Sequence, residues 1–180
     1  MKIALMSDLH GSLNDLKTFI ECVDKIGVDK IYCLGDVLYH GPRNNLPQSY
    51  SPKDVAELFK EIKEKTVFIR GNCDARIDEM VLGVTMYDIL EENYFNHHFV
   101  FSHGDILDKL NFNITSNTII CTGHTHVHNI RFHKNILFLN PGSLSMPKKE
   151  TAQSFMIIDE EGVYLHNLKN EIISTFKFNK

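Results

Sequence analysis

Aspartate, asparagine and histidine side chains recur directly after short apolar segments, and each time a glycine lies beside them. The stretches concerned are SDLHG (7–11), GDVLYHG (35–41), GNCD (71–74), SHGD (102–105) and GHTH (123–126). In open α/β sheets, ligands bind beyond the carboxyl ends of the strands, and glycines allow the chain to turn sharply there. We therefore expect these side chains to lie close together. The candidate metal ligands are Asp8, His10, Asp36, Asn72, His103, His124 and His126.

Two carboxylates, one amide and four imidazoles form a donor set that suits manganese, iron or zinc. This set is too large for one tetrahedral site, but with one shared carboxylate it serves two metals about 3.5–4 Å apart. Asp8 and His10 are two residues apart, so their side chains face the same side of an extended segment, and His124 and His126 repeat that spacing. An ordinary polar turn explains any one of these residues alone. Their recurrence after several segments favours a metal site.

The first part of the chain alternates between apolar strands and amphipathic helices. Residues 2–6, 30–34 and 66–70 are short apolar segments, which are typical of buried strands. Between them, residues 12–27 and 51–62 carry apolar side chains at helical spacing. This strand–helix–strand–helix–strand order predicts parallel pairing with right-handed crossovers.

The second half of the chain has short strand-like segments with few helices between them. They are HHFVFSHGD (97–105), TIICTGHTH (118–126), NIRFHKNILFLNPGS (129–143), SFMIID (154–159), GVYLHNL (162–168) and IISTFKF (172–178). The pattern predicts a second, largely antiparallel sheet packed on the first. The predicted fold class is therefore α/β, a two-sheet β sandwich flanked by helices, in a single domain over residues 1–180.

The composition bears on several classes of protein. Of the 180 residues, 43% are hydrophobic, which is enough for one sizeable core. The formal net charge of −4 argues against a general nucleic-acid binder, which is expected to be basic. We expect no transmembrane helix and no signal peptide, because the apolar runs are too short for either. These observations predict a cytoplasmic protein without a membrane partner.

The motifs resemble those of the calcineurin-like metallophosphoesterases. The family pattern D-x-H, G-D, G-N-H-[DE], H and G-H-x-H is matched in order by Asp8-Leu9-His10, Gly35-Asp36, Gly71-Asn72-Cys73-Asp74, Ser102-His103-Gly104 and Gly123-His124-Thr125-His126. The match covers residues 3 to about 145, and the stretches SDLHG, GDVLYHGPRN, RGNCD and NPGS are similar to those of the small YfcE-type phosphodiesterases. The resemblance implies the same two-sheet fold and a metal-dependent phosphodiesterase, a hydrolase of phosphoric ester bonds.

The resemblance also implies how the ligands divide between two divalent ions. One ion would be bound by Asp8, His10, Asp36 and His126, and the other by Asp36, Asn72, His103 and His124. Asp36 would bridge them, and manganese is favoured, with zinc, iron or nickel as alternatives. A hydroxide between the ions would attack the phosphorus, and the net positive charge of the site would attract a phosphate ester. On this basis Asp36 and Asn72 are predicted to be catalytic.

Cys73 occupies the catalytic position at which the family usually has a histidine that protonates the leaving oxygen. A neutral thiol, with an unperturbed pKa of about 8.5, is a poor substitute for an imidazole. We therefore expect Cys73 to fill this position without acting as nucleophile or general acid, and a role as an additional metal ligand stays open. The other cysteines, Cys22, Cys33 and Cys121, lie in apolar patterns and are expected to be buried.

His40, Arg43 and Asn44 in YHGPRN are candidate substrate-binding residues, because the arginine fork suits phosphate oxygens. The alternative is a solvated loop with a proline turn. The expected substrate is a small phosphodiester, nucleic acid is not expected, and the expected assembly is a homo-oligomer, a dimer or tetramer. Two other functions compete. One is a nuclease on the same fold, and the other is a protein-interaction scaffold such as the retromer subunit of similar fold, in which some metal ligands would be replaced.

Overall fold

The fold is seen in a computed structural model that describes residues 1–107, 114–115 and 117–178. In chain order its elements are β1 (Ile3–Met6), α1 (Leu13–Ile26), β2 (Lys30–Cys33), α2 (Pro52–Ile62), a 3-10 turn (Lys63–Lys65), β3 (Thr66–Ile69), α3 (Arg76–Leu82), β4 (Met86–Tyr87), β5 (Ile89–Tyr94), β6 (His97–Ser102), β7 (Thr118–Cys121), β8 (Asn129–His133), β9 (Ile136–Asn140), β10 (Ser154–Asp159), β11 (Gly162–Asn167) and β12 (Ile172–Lys177). Among the residues described, no helix combines the length and apolar character needed to cross a membrane.

Seven strands form the first sheet, in the order β12-β11-β10-β1-β2-β3-β4. The strands β1 to β4 run parallel, with Leu5 beside Tyr32 and Cys33 beside Phe68. The helices α1 and α2 connect the first three of these strands, as the sequence predicts. The strands β10, β11 and β12 continue the sheet beyond β1, each antiparallel to its neighbour.

The second sheet has the order β5-β6-β7-β9-β8 and is mixed, so the prediction of a largely antiparallel sheet is wrong. Its central strands β6, β7 and β9 are parallel, and only the edge strands β5 and β8 run antiparallel to their neighbours. The connection between β6 and β7 spans residues 103–117, which is long enough for the crossover that a parallel pair requires. The last three strands join the first sheet instead, because β10 pairs with β1.

The two sheets pack face to face around an apolar core. Tyr32 of the first sheet stacks on Phe101 of the second, with 3.8 Å between the ring centroids. The outer face of the seven-stranded sheet is covered by α1 and α2, whose Phe19 and Phe59 are fully buried. Burying a side chain of this kind contributes about 1.5–3 kcal/mol. The predicted sandwich of two sheets flanked by helices is confirmed.

The sequence analysis does not predict α3, β4 or β5. The helix α3 has 7 residues and β4 has 2, so neither shows a sustained apolar period, and β5 is half-buried or exposed along its length. The helix α3 begins directly after the GNCD loop. There the Asp78 carboxylate accepts a hydrogen bond from the Ala75 N–H at 2.8 Å, which fixes the end of that loop.

Candidate metal centre

The candidate ligands follow the carboxyl ends of parallel strands in both sheets. Asp8, Asp36 and Asn72 come after β1, β2 and β3, while His103 and His124 come after β6 and β7. Parallel strands end at the same edge of their sheet, and the two sheets bring these edges together. Short sequence motifs that are far apart in the chain therefore meet in one place, as the sequence predicts.

Five of the seven candidate ligands have a left-handed backbone conformation. The φ angles are 54° at Asp8, 48° at His10, 58° at Asp36, 66° at His124 and 58° at His126. This region costs a non-glycine residue about 1–2 kcal/mol, and such strain concentrates at functional sites. The conformation turns each side chain sharply away from the direction of its strand. The expectation that Asp8 and His10, and likewise His124 and His126, lie on extended segments is therefore wrong.

Hydrogen bonds between neighbouring loops hold the strained backbone in place. The Asp8 N–H donates to the Gly35 carbonyl oxygen at 3.0 Å, and the His10 N–H donates to the Asp36 carbonyl oxygen at 2.9 Å. Across the two sheets, the His124 N–H donates to Asp8 Oδ2 at 3.0 Å. These hydrogen bonds therefore connect the loops after β1, β2 and β7 to one another.

Three histidine rings are oriented by backbone carbonyl groups. Each places Nδ1 2.7 Å from a carbonyl oxygen: His10 with Tyr39, His103 with Leu34 and His126 with Met146. A carbonyl oxygen accepts only, so Nδ1 carries the proton, and in the neutral ring Nε2 is an acceptor. Metal-bound histidines are usually oriented in this way by their other ring nitrogen.

The first group of donors consists of Asp8, His10 and His126. The Nε2 atoms of His10 and His126 are 3.2 Å apart, and His126 Nε2 is 3.3 Å from Asp8 Oδ1. Asp8 Oδ1 is buried and has no hydrogen-bond partner among the described residues. Buried acceptor atoms that face one another without donors repel, and a shared cation removes that repulsion. The residues present therefore fit a metal ion.

The second group surrounds His103. Its Nε2 atom lies 3.2 Å from Asn72 Oδ1, 3.3 Å from His124 Nδ1 and 3.5 Å from Asp36 Oδ2. The same Asp36 Oδ2 atom is 3.7 Å from Nε2 of His10, which belongs to the first group. The structure thus brings all seven candidate ligands together and places Asp36 between the two groups.

The pKa values of Asp36 and His103 shift in opposite directions, because the two side chains form a buried pair. Burial raises the pKa of Asp36, but the contact with His103 and the N–H of Cys73 outweigh burial and bring it down to about 2. Burial lowers the pKa of His103, but the contact with Asp36 and the charge of Asp8 outweigh burial and raise it to about 9. The site therefore favours positive charge, which is also what a divalent cation supplies.

Glycines allow the loops to approach the ligands closely. A β-carbon on Gly71 would collide with the Asp36 carboxylate, and one on Gly123 would collide with the Ser7 hydroxyl.

Asn140 and Ser143 donate hydrogen bonds to backbone carbonyl groups of the ligand-bearing loops. Asn140 Nδ2 donates to the Gly123 carbonyl oxygen at 2.7 Å, and Ser143 Oγ donates to the Asp8 carbonyl oxygen at 2.7 Å.

Asp74 connects the loops that follow β2 and β3. Its carboxylate accepts hydrogen bonds at 2.8 Å from the N–H groups of Asp36, Val37 and Gly71. Burial raises the pKa of Asp74 to about 6, and the N–H donors act in the opposite direction. Asp74 therefore positions the Asp36 backbone without contacting the centre of the site.

Replacing Asp74 with alanine is expected to lower the free energy of unfolding by about 2–4 kcal/mol, because each buried donor left unpaired costs about 1–3 kcal/mol. The measurement is urea denaturation followed by circular dichroism. Asp24→Ala is the matched control, since the Asp24 carboxylate is exposed and its ion pair with Lys65 contributes about 1 kcal/mol at most. If Asp74→Ala is no more destabilising than Asp24→Ala, the loop-connecting role is wrong.

Cys73 lies beside the site with its sulfur half-buried. Its N–H donates to Asp36 Oδ1 at 2.8 Å, and its sulfur accepts from Asn72 Nδ2 at 3.3 Å. The sulfur also lies within 4.8 Å of donor atoms of His10 and Asp36. Burial and then the Asp36 charge raise the pKa of the Cys73 thiol to about 12, which keeps it neutral at physiological pH. The remaining cysteines are buried, as predicted.

An open cavity of about 780 Å³ has the candidate ligands Asp36, Asn72, His124 and His126 in its wall. The other residues of the wall are Tyr39, Gly41, Pro42, Arg43, Asn44, Cys73, Asp74, Ala75 and Lys148. Two of the predicted substrate-binding residues, Arg43 and Asn44, therefore line the cavity, and the sequence analysis missed Tyr39 and Lys148.

The third predicted substrate-binding residue, His40, is absent from the cavity wall. Its ring packs against the rings of Tyr39 and Tyr50, at centroid distances of 4.7 and 5.3 Å. His40 therefore supports the loop rather than facing the cavity. A loop has no regular period, so the motif YHGPRN does not show which of its side chains line the cavity.

Two sheets with clustered aspartate, asparagine and histidine side chains at the ends of their parallel strands define the metallophosphoesterase class of fold and site. A family model for the calcineurin-like phosphoesterase superfamily domain matches residues 1–162. The chain belongs to this family, and it is a hydrolase that acts on phosphoric ester bonds.

Individual relatives agree with this assignment. The chain is 33% identical over 175 residues to phosphodiesterase YfcE of Escherichia coli strain K12, covering 96% of this chain and 95% of that protein. The solved structure of YfcE, described as a phosphoesterase from E. coli, superposes with a TM-score of 0.94 at 31% identity, covering 99% and 100% of the two chains. Vacuolar protein sorting 29 from Cryptosporidium parvum has a TM-score of 0.67 at 19% identity, covering 99% and 98%, and shows the fold alone.

Proposed function

We propose that the protein is a metal-dependent phosphodiesterase that hydrolyses small phosphodiesters at this site. The observation that carries the proposal is the convergence of seven ligand-type side chains, with Asp36 Oδ2 within 3.7 Å of the imidazole nitrogens of both His10 and His103. A protein-interaction scaffold of the same fold would not need buried acceptor atoms that face one another. We therefore favour the enzyme over the scaffold.

The proposed centre holds two divalent ions. One would be bound by Asp8, His10, Asp36 and His126, and the other by Asp36, Asn72, His103 and His124. Manganese is proposed ahead of zinc, iron or nickel, because carboxylate oxygens contribute to both sets and the Asn72 amide oxygen contributes to the second. When bound, such a pair of ions lowers the pKa of a shared water towards neutrality and stabilises the charge that develops on the phosphoryl oxygens.

The chain's own residues supply binding and orientation around the ions. Arg43 and Lys148 bring positive charge to the cavity wall and would attract the anionic ester. The fork of Arg43 can donate two hydrogen bonds to non-bridging phosphate oxygens, and the Asn44 amide can add another. The open cavity accommodates a small diester with a substituent on each side of the phosphorus.

Three further expectations stay predictions. They are that the protein does not act on nucleic acid, that it forms a homo-oligomer, and that it is located in the cytoplasm.

The leaving oxygen would depart without a proton from Cys73. The thiol at this position is neutral, but its raised pKa makes it a weak acid. Proton donation to the leaving group is typically worth about 10²–10⁴ in rate. Esters whose leaving groups are weak bases, such as nitrophenolate, would therefore react well, and alkyl esters poorly.

The test is hydrolysis of bis(4-nitrophenyl) phosphate by purified protein before and after removal of metals. We expect activity to fall by at least about 10²-fold in the metal-free protein, since charge stabilisation by the ions is lost, and to return on addition of manganese. Metal content is measured in the same samples, and circular dichroism shows whether the fold survives. Near-normal hydrolysis by a verified metal-free sample would contradict the proposed function.

A further inference from the structure

Tyr39 presents an exposed aromatic ring in the wall of the proposed catalytic cavity. The side chain is 42% exposed although its backbone is closely tied to the site. The Tyr39 carbonyl oxygen accepts the hydrogen bond from His10 Nδ1 at 2.7 Å. The backbone that carries the ring is therefore hydrogen-bonded to a candidate metal ligand.

The Tyr39 ring is held in place by two further rings. His40 packs against it at a centroid distance of 4.7 Å and an interplanar angle of 67°, and Tyr50 packs against His40 at 5.3 Å and 82°. The backbone of Tyr50 forms an isolated antiparallel β-bridge with the backbone of Ser12, which directly precedes α1. A ring supported in this way loses little conformational freedom when it binds a ligand, which favours affinity.

The cavity is larger than a phosphate group requires, and its wall has an apolar part. Pro42 and Ala75 line the cavity together with Tyr39, whereas the candidate ligands, Arg43 and Lys148 provide its polar part. Ligand sites commonly combine an apolar wall with a few polar groups that fix the orientation of the ligand. Here the polar part suits the phosphate, and the apolar part suits a substituent on it.

We propose that Tyr39 stacks on a planar aromatic substituent of the substrate, so that the preferred substrates are aryl or nucleoside phosphodiesters. The inference rests on the proposed function, because the phosphate must be bound at the metal centre for its substituent to reach the ring. Aromatic rings prefer offset-stacked or edge-to-face arrangements, and an exposed tyrosine offers both. Tyr39 thereby determines specificity through the substituent and leaves the binding of the phosphate unchanged.

The test compares the binding of phenylphosphonate and methylphosphonate to the manganese-loaded protein by calorimetry. Both carry the same anionic group, neither has an ester bond to hydrolyse, and they differ in the aromatic ring. Stacking on an aromatic side chain is expected to make phenylphosphonate bind about tenfold more tightly, equivalent to about 1.4 kcal/mol. The variants are Tyr39→Leu, which removes the ring, and Tyr39→Phe, which keeps it. Tyr87→Leu is the matched control, because Tyr87 is 43% exposed and lies outside this cavity.

We expect Tyr39→Leu to reduce the preference for phenylphosphonate to about twofold or less, with methylphosphonate binding unchanged. Tyr39→Phe and Tyr87→Leu should keep the preference. The proposal is overturned if Tyr39→Leu keeps the tenfold preference, or if Tyr39→Phe loses it, since the hydroxyl rather than the ring would then be responsible. If the parent binds methylphosphonate but shows no preference for phenylphosphonate, the stacking role of Tyr39 is wrong and the proposed function stands. If neither phosphonate binds the manganese-loaded parent, the proposed phosphoester site is wrong, and the stacking role of Tyr39 is wrong with it.

Discussion

The Asp36→Asn variant is expected to lose about 10³-fold in kcat towards aryl phosphodiesters and to bind both divalent ions more weakly. Asp36 lies between the two donor groups, with Oδ2 at 3.5 Å from His103 Nε2 and 3.7 Å from His10 Nε2. The substitution removes one negative charge that both ions would share. The measurements are the rate of bis(4-nitrophenyl) phosphate hydrolysis and the metal content after equilibrium dialysis.

The fold should survive this substitution. The backbone at Asp36 is left-handed, with φ of 58°, and asparagine is among the residues that tolerate this conformation best. The amide oxygen can still accept the hydrogen bond that the Cys73 N–H donates at 2.8 Å. Asp88→Asn removes the same charge at an exposed position and should leave the rate and metal content unchanged. A folded Asp36→Asn protein that holds both ions as tightly as the parent would show that Asp36 does not bridge them.

The Cys73→His variant is expected to gain about 10²–10⁴ in rate on esters with strongly basic leaving groups, because an imidazole can donate the proton that a weakly acidic thiol cannot. Cys73 lines the open cavity, so a larger ring can extend into it. The gain should be largest for alkyl diesters and smallest for nitrophenyl diesters. The measurement is the rate of both proteins across a series of diesters of graded leaving-group pKa, which should give a flatter plot for the variant.

Cys73→Ser is the matched control for this experiment. Serine keeps the size and the N–H bond to Asp36 but offers no comparable acid, so hydrolysis of nitrophenyl diesters should change by no more than about threefold. Metal content is checked in all three proteins. If Cys73→Ser abolishes nitrophenyl diester hydrolysis while the ions remain bound, Cys73 takes a direct chemical part and our interpretation of it is wrong.

The sequence predicts the parts of the fold and site that depend on local pattern and order. The alternation of apolar strands and amphipathic helices predicts the parallel strands β1, β2 and β3 and the crossover helices α1 and α2. Placing Asp8, Asp36 and Asn72 after those strands then brings them to one edge of the sheet by geometry alone. His103 and His124 follow the same rule in the second sheet.

Features that depend on long-range packing do not follow from the sequence. A short apolar segment does not indicate the direction in which its strand runs. The parallel arrangement of β6, β7 and β9 and the pairing of β10 with β1 therefore could not be predicted from the segments themselves. The left-handed backbone at ligands such as His10 and His126 depends on hydrogen bonds between loops. The packing of His40 against the rings of Tyr39 and Tyr50 also depends on the fold, because Tyr50 lies outside the motif YHGPRN.

The central claim is that two metal ions share the Asp36 carboxylate, and anomalous diffraction from crystals of the manganese-loaded protein tests it most directly. We predict two anomalous peaks about 3.5–4 Å apart, both at bonding distance from Asp36. One peak should also contact Asp8, His10 and His126, and the other Asn72, His103 and His124. A single fully occupied peak, or two peaks of which only one contacts Asp36, would contradict the account.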